Sequence, residues 1–108
     1  DPLLIDTYNN LGSIYAQQQD YVQALSYCTK ALETAMKDPK SNEKQIAMVH
    51  ENFGMIYSGQ HNYSKALDSY EKCLRIVFRI LPSNHPVLAT IYTSIASIYE
   101  AQNDYYIA

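Results

Sequence analysis

Glycine and proline are scarce in this chain, three and four among 108 residues. So few breakers exclude a many-turned β fold and leave long helices joined by short connections. Basic charge is short as well: the eight Lys and Arg are scattered, and the formal net charge is −3. A surface that tracks phosphates draws on clustered cations that release counterions, so nucleic acid is excluded as a partner. No apolar run approaches the roughly 18 residues that would suggest a bilayer span. The N-terminus also lacks the basic, apolar, small-residue order of a secretory signal. The expectation is a cytoplasmic chain with no membrane partner. Cysteine is limited to Cys28 and Cys73. Both fall on apolar helical stripes where a thiol serves as a small hydrophobe, which favours a reduced pair over a bridge.

What the chain does have is a 47% hydrophobic composition with 18% charged residues, enough to bury a core and to exclude disorder. Its apolar residues recur at an offset of 42. Leu4, Ile46 and Leu88 align, as do Tyr8, His50 and Tyr92, then Leu11, Phe53 and Ile95. Gly12, Gly54 and Ala96 form a small-residue column, followed by Ile14, Ile56 and Ile98 and by two tyrosine columns, Tyr15/Tyr57/Tyr99 and Tyr21/Tyr63/Tyr105. Ala24, Ala66 and Ala108 close the set.

Within a unit, Leu4, Tyr8, Leu11 and Tyr15 are spaced four, three and four, the period of one helical face. Tyr21, Leu25, Cys28 and Leu32 repeat it, so each unit is two amphipathic helices. The small columns let the paired helices approach closely with tyrosines around them. Polar triplets at Gln18-Gln19-Asp20, Gln60-His61-Asn62 and Gln102-Asn103-Asp104 predict tight turns, with Asp20, Asn62 and Asp104 capping the second helices. Between units, Pro39 and Pro82 end one helix and a Ser or Asn caps the next; Asn42 with Gln45 suggests a capping box. Asp1-Pro2 looks like a unit boundary, and the chain is expected to stop one turn into a sixth helix, at Tyr105 to Ala108.

Leu11-Gly12, Tyr15, Asp20-Tyr21, Ala24-Leu25 and Ala31-Leu32 together resemble the tetratricopeptide repeat signature. The usual unit is about 34 residues. The longer period, with Asn84-His85-Pro86-Val87-Leu88-Ala89 leading into a helix, is similar to the kinesin light chain subclass. The resemblance implies an all-α, right-handed α-solenoid of antiparallel helix-turn-helix repeats, in a single domain over residues 1–108: repeat one 1–40, repeat two 41–82 and a partial third 83–108. It also implies that the face of each first helix opposite the core stripe lines a concave, peptide-binding groove. At 100° per residue that face carries Asp6, Asn9, Asn10 and Ser13, then Met48, Glu51, Asn52 and Met55, then Thr93, Ser94 and Ser97. Amide and hydroxyl groups there suit a peptide backbone, and Met55 an apolar side chain. Asn10 and Asn52 occupy one column and are the leading candidates. The stripe holds no Lys or Arg, which excludes a carboxylate-clamped ligand and favours a neutral or basic segment.

No nucleophile with a base, carboxylate pair or set of metal ligands at metal spacing is visible, so neither enzyme activity, a cofactor nor a metal is expected. Asn62-Tyr63-Ser64 fits a glycosylation sequon, but Tyr63 belongs to a core column. Three roles stay open: an adaptor binding a partner's peptide, a spacer or homo-oligomer joined through the uncovered third repeat, and a regulatory repeat region of a larger enzyme.

Overall fold

The computed structural model describes residues 2–107, with side chains described through Asn103. The calls on Asp1 and Ala108, and on the side chains of Asp104 and Tyr105, fall outside these. Five helices follow one another: α1 (Pro2–Gln17), α2 (Tyr21–Ala35), α3 (Glu43–Gly59), α4 (Tyr63–Ile80) and α5 (Pro86–Ile107). There is no strand among the described residues, and the array is the expected all-α helical-repeat solenoid, a slab of 47 × 33 × 18 Å. α1 pairs closely with α2 and α3 with α4, while α5 rests on α4 and, less closely, on α3.

The two tight turns form as the polar triplets predict. Gln19 and His61 adopt a left-handed backbone, φ 62° and 61°, and the next residue caps the following helix. Asp20 Oδ1 accepts from the Gln23 amide at 3.3 Å and Asn62 Oδ1 from the Lys65 amide at 3.4 Å.

Three expectations about the ends of helices are corrected. The chain does not turn at Gln102-Asn103-Asp104: α5 runs helical through Ile107, so no sixth helix begins at Tyr105. Left-handed backbone at a non-glycine residue costs roughly 1–2 kcal/mol, and in the first two units the packing of α2 and α4 repays it. No described helix follows α5 to do the same at Asn103. Asn42 precedes α3 but makes no side-chain cap and no capping box with Gln45. Its buried amide instead donates to the carbonyls of Asp38 (3.0 Å) and Ala35 (3.3 Å), tying off the end of α2. Ahead of α5 the cap comes from His85 rather than Ser83 or Asn84, its Nδ1 accepting from the Val87 amide at 3.2 Å.

The core stripe is turned slightly from its expected phase. On α1 the buried positions are Ile5, Asn9 and Gly12, with Tyr8, Leu11 and Tyr15 half-buried beside them and Leu4 exposed. The tyrosines lie around the buried line, reaching over it: Tyr15 stacks on Tyr27 with centroids 5.5 Å apart and planes 2° from parallel. Columns that face the preceding unit show why unit one differs. Ile56 and Ile98 are buried, whereas Ile14 in the same column is exposed, because no described helix lies before α1.

The small-residue columns do what their size suggests. A Cβ on Gly12 would lie 2.5 Å from Cys28 Sγ and 3.3 Å from the Ala24 carbonyl; one on Gly54 would lie 2.7 Å from the ring of Tyr70. Both cysteines are free and buried. Burial pushes the Cys28 thiol up to about 11 and, with the Glu51 carboxylate adding to it, that of Cys73 to about 12. They pack as hydrophobes in two separate core clusters. Since the Tyr70 ring that such a Cβ would meet is only 2% exposed, Gly54→Ala should destabilise the fold by about 1–3 kcal/mol in urea denaturation, overriding alanine's better helix propensity.

Candidate functional site

Each unit contributes its first helix to one face of the slab, so α1, α3 and α5 bring the candidate residues side by side. Asp6, Asn9 and Asn10 from α1 meet Met48 of α3 around a cleft of 340 Å³, which Lys44 and Gln45 complete. Met48 and Glu51 line a second cleft of 260 Å³, with Lys44 on its rim and Ala47, Cys73, Val77, Ile80, Leu81, His85 and Val87 around it. Lys44 and Met48 are common to both, so the start of α3 forms a ridge between the two.

Lys44 and Gln45 lie outside the residues expected from the sequence, and Lys44 places a cation on a stripe expected to hold none. The same three- and four-residue spacing, continued one turn from Met48 toward the N-terminus, reaches both residues.

Asn9 and Asn52 are corrected as well. They are 6% and 8% exposed, and they serve the joint between α1 and α3. The Asn52 amide donates to the Asn9 side-chain oxygen at 2.7 Å and to the Asn9 backbone carbonyl at 3.1 Å. A buried amide is tolerated only when its polar atoms are satisfied, and here the Asn52 amide nitrogen and the Asn9 side-chain oxygen are partners. Asn10 stays exposed at the cleft edge.

The third unit offers less than its composition promises. The hydroxyls of Thr93, Ser94 and Ser97 donate back to carbonyls of their own helix, at 2.8, 3.1 and 3.1 Å. Neither Ser13, half-buried on α1, nor exposed Met55 lines either cleft.

Electrostatically the face is mixed. Glu51 is half-buried and its carboxyl is raised above the ordinary value by desolvation. It accepts no hydrogen bond and makes no ion pair among the described residues, while Lys44 at the shared ridge supplies one cation. On another side of the slab, His50, Lys65, Asp68 and Lys72 edge a cleft of 310 Å³. Burial lowers the His50 pKa; Lys72 lowers it further and Asp68 opposes them. Lys72 and Asp68 already pair with each other at 3.1 Å. The described residues contain no cluster of three or more His, Cys, Asp or Glu placed to hold a metal, and no helix among them is long and apolar enough to cross a membrane.

The two asparagines of one column thus have different roles, and mutation separates them. Asn52→Ala leaves the buried Asn9 side-chain oxygen without its donor and should cost about 1–3 kcal/mol of stability. Asn10→Ala, at an exposed position, should stay within about 0.5 kcal/mol of the parent in the same urea titration.

A search of curated proteins and a search of solved structures each returned no match. The family model described as tetratricopeptide repeat matches twice, over residues 3–77 and 45–106, two placements whose starts differ by 42 residues, the period of the columns. Such repeats generally mediate protein–protein interaction and form a non-catalytic module. With nearly the whole chain covered by those matches and two helical hairpins stacked in line with a fifth helix, this chain belongs to the tetratricopeptide repeat family.

Proposed function

We propose that the chain is an adaptor that holds an extended segment of a partner protein along the face formed by α1, α3 and α5. The supporting observation is that two clefts open on this face and adjoin at Lys44 and Met48, making a continuous track across the units. Asp6 and Asn10 offer acceptors and an amide for a peptide backbone, and Met48 an adaptable apolar contact. Against Asp6 and Glu51 there is a single lysine, a balance that favours a neutral or basic segment over a carboxylate gripped by several cations. The 42-residue period supports placement in the kinesin-light-chain-like subclass, and two buried free thiols are in keeping with a reducing cytoplasm.

The test is selection of extended peptides from a displayed random library, followed by titration against the parent and an Asp6→Ala, Asn10→Ala, Met48→Ala triple variant. None of these three side chains is buried, so the variant should keep its circular dichroism spectrum while its affinity for the selected peptides falls at least about tenfold, a loss of about 1.4 kcal/mol. Binding that is unchanged, or a library that yields no binder, would remove this reading.

A second reading, self-association, is favoured by the outer face of α5. Tyr92 and Tyr99 are 50% and 59% exposed, and Phe78 of α4 lies 6.4 Å from Tyr92, also exposed. Large aromatic rings grouped in water are a recognised mark of an interface. If this face joins copies, sedimentation will show a concentration-dependent dimer that Tyr92→Ser with Tyr99→Ser abolishes; a monomer at every concentration dismisses it.

A further inference from the structure

The two intervals between successive first helices are built from the same columns, yet differ in depth. At the first, Ile5 packs fully buried with Ala31, Ala35 and Ile46 and closes the floor, so the cleft above it is lined by Asp6, Asn9, Asn10, Lys44, Gln45 and Met48. At the second, the same columns read Ala47, Cys73, Val77 and Leu88. The bulk has moved from the first helix to the second, and α5 approaches α3 less closely than α3 approaches α1. The space left on the α3 side is the 260 Å³ cleft, which reaches down to Cys73 and Val77. Its capacity exceeds that of several water molecules at about 30 Å³ each.

The joint above it changes in step. The Asn9–Asn52 pair of the first interval becomes Glu51 and Ser94 in the second, where the Ser94 hydroxyl turns to its own helix instead of to Glu51. The Ser94 hydroxyl donates to the Thr90 carbonyl and pairs with Tyr70. Glu51 is left in the wall of a largely apolar cleft, its oxygens unclaimed by any described residue. Lys44 stands at the rim, two helical turns along α3, roughly 10 Å by helical rise, and forms no ion pair with it. The His85 Nδ1 on the same rim is engaged by the Val87 amide.

We propose that this cleft is a socket for one basic side chain, arginine or lysine, of the bound peptide, its alkyl stem lying against Ala47, Val77, Ile80 and Leu81 and its cationic head paired with Glu51. The inference rests on the adaptor reading and sharpens it to a single determinant. Long basic side chains carry an apolar stem and a charged tip, which is the order of surfaces that the socket presents from Val77 to Glu51. A carboxylate already half removed from water and without a donor gains most from a charge-assisted hydrogen bond.

The decisive experiment uses peptides selected on the parent chain, resynthesised with each basic residue replaced in turn by citrulline, norleucine and glutamate. Binding is measured to the parent, to Glu51→Gln and to Ala47→Ile. The expected result is one basic position whose replacement by any of the three weakens binding to the parent about tenfold or more. Glu51→Gln should erase that preference while still binding the peptides weakly, and Ala47→Ile, which restores the isoleucine of the first interval, should reject the basic side chain. Both variants are expected to keep the parent's urea midpoint or exceed it, since one removes a desolvated carboxylate and the other fills a cleft. Selected peptides without a basic position, or a preference that survives Glu51→Gln, overturn the socket and leave the adaptor standing. A parent chain that selects no peptide overturns both.

Discussion

Close approach of paired helices, made possible at Gly12 and Gly54, is the constraint on which the rest of the array rests. At these points one helix backbone lies against a side chain of its partner, Cys28 in the first pair and Tyr70 in the second, with no room for a Cβ between them. Such proximity draws the flanking tyrosines over the seam and brings Ala24 and Ala66 to full burial. It also turns the opposite face of each first helix outward, where the clefts are. The groove is therefore a by-product of how tightly each pair closes, and its shape is inherited from the backbone rather than from flexible loops.

α3 carries most of this arrangement because it is packed on both sides. It presents Phe53, Gly54 and Ile56 to the interior and also receives α1 through Asn52. A helix so enclosed has few free positions; two of these, Lys44 and Met48, border both clefts, and half-buried Glu51 borders the second. Arg79 reaches back from the end of α4 to Glu43 at the start of α3, 2.5 Å away, across the open end of that pair. Being largely exposed, this contact contributes no more than about 1 kcal/mol, far less than the buried seam.

Much of the architecture could be read from residue order alone. The 42-residue recurrence, the small columns and the turn caps at Asp20 and Asn62 each depend on local spacing, which a sequence displays directly. The phase of the core stripe was less legible because tyrosine is long: Tyr8 and Tyr15 count as apolar in a pattern, yet they reach the core from its border while Asn9 and Gly12 sit at its centre. Asn9 and Asn52 escaped for a related reason. A polar residue reads as solvent-facing unless its partner is known, and that partner lies 43 residues away. The turn at Gln102 to Asp104 failed because composition permits a left-handed residue without compelling it; compulsion comes from a helix packed on the far side. Lys44 and Gln45 are legible in the same period, one helical turn before Met48.

Every helix in this array touches only its near neighbours in the chain. α1 meets α2 and α3, α2 meets α3, and among the described residues α5 meets only α3 and α4. Contacts of such short sequence separation close small loops, so little chain entropy is spent before the first favourable contact forms, and assembly is rapid for a domain of this length. The same economy makes the molecule elastic along its axis: a pull on one end is borne by one pair of helices at a time, and the array yields as a spring of stacked hairpins instead of failing as a single block.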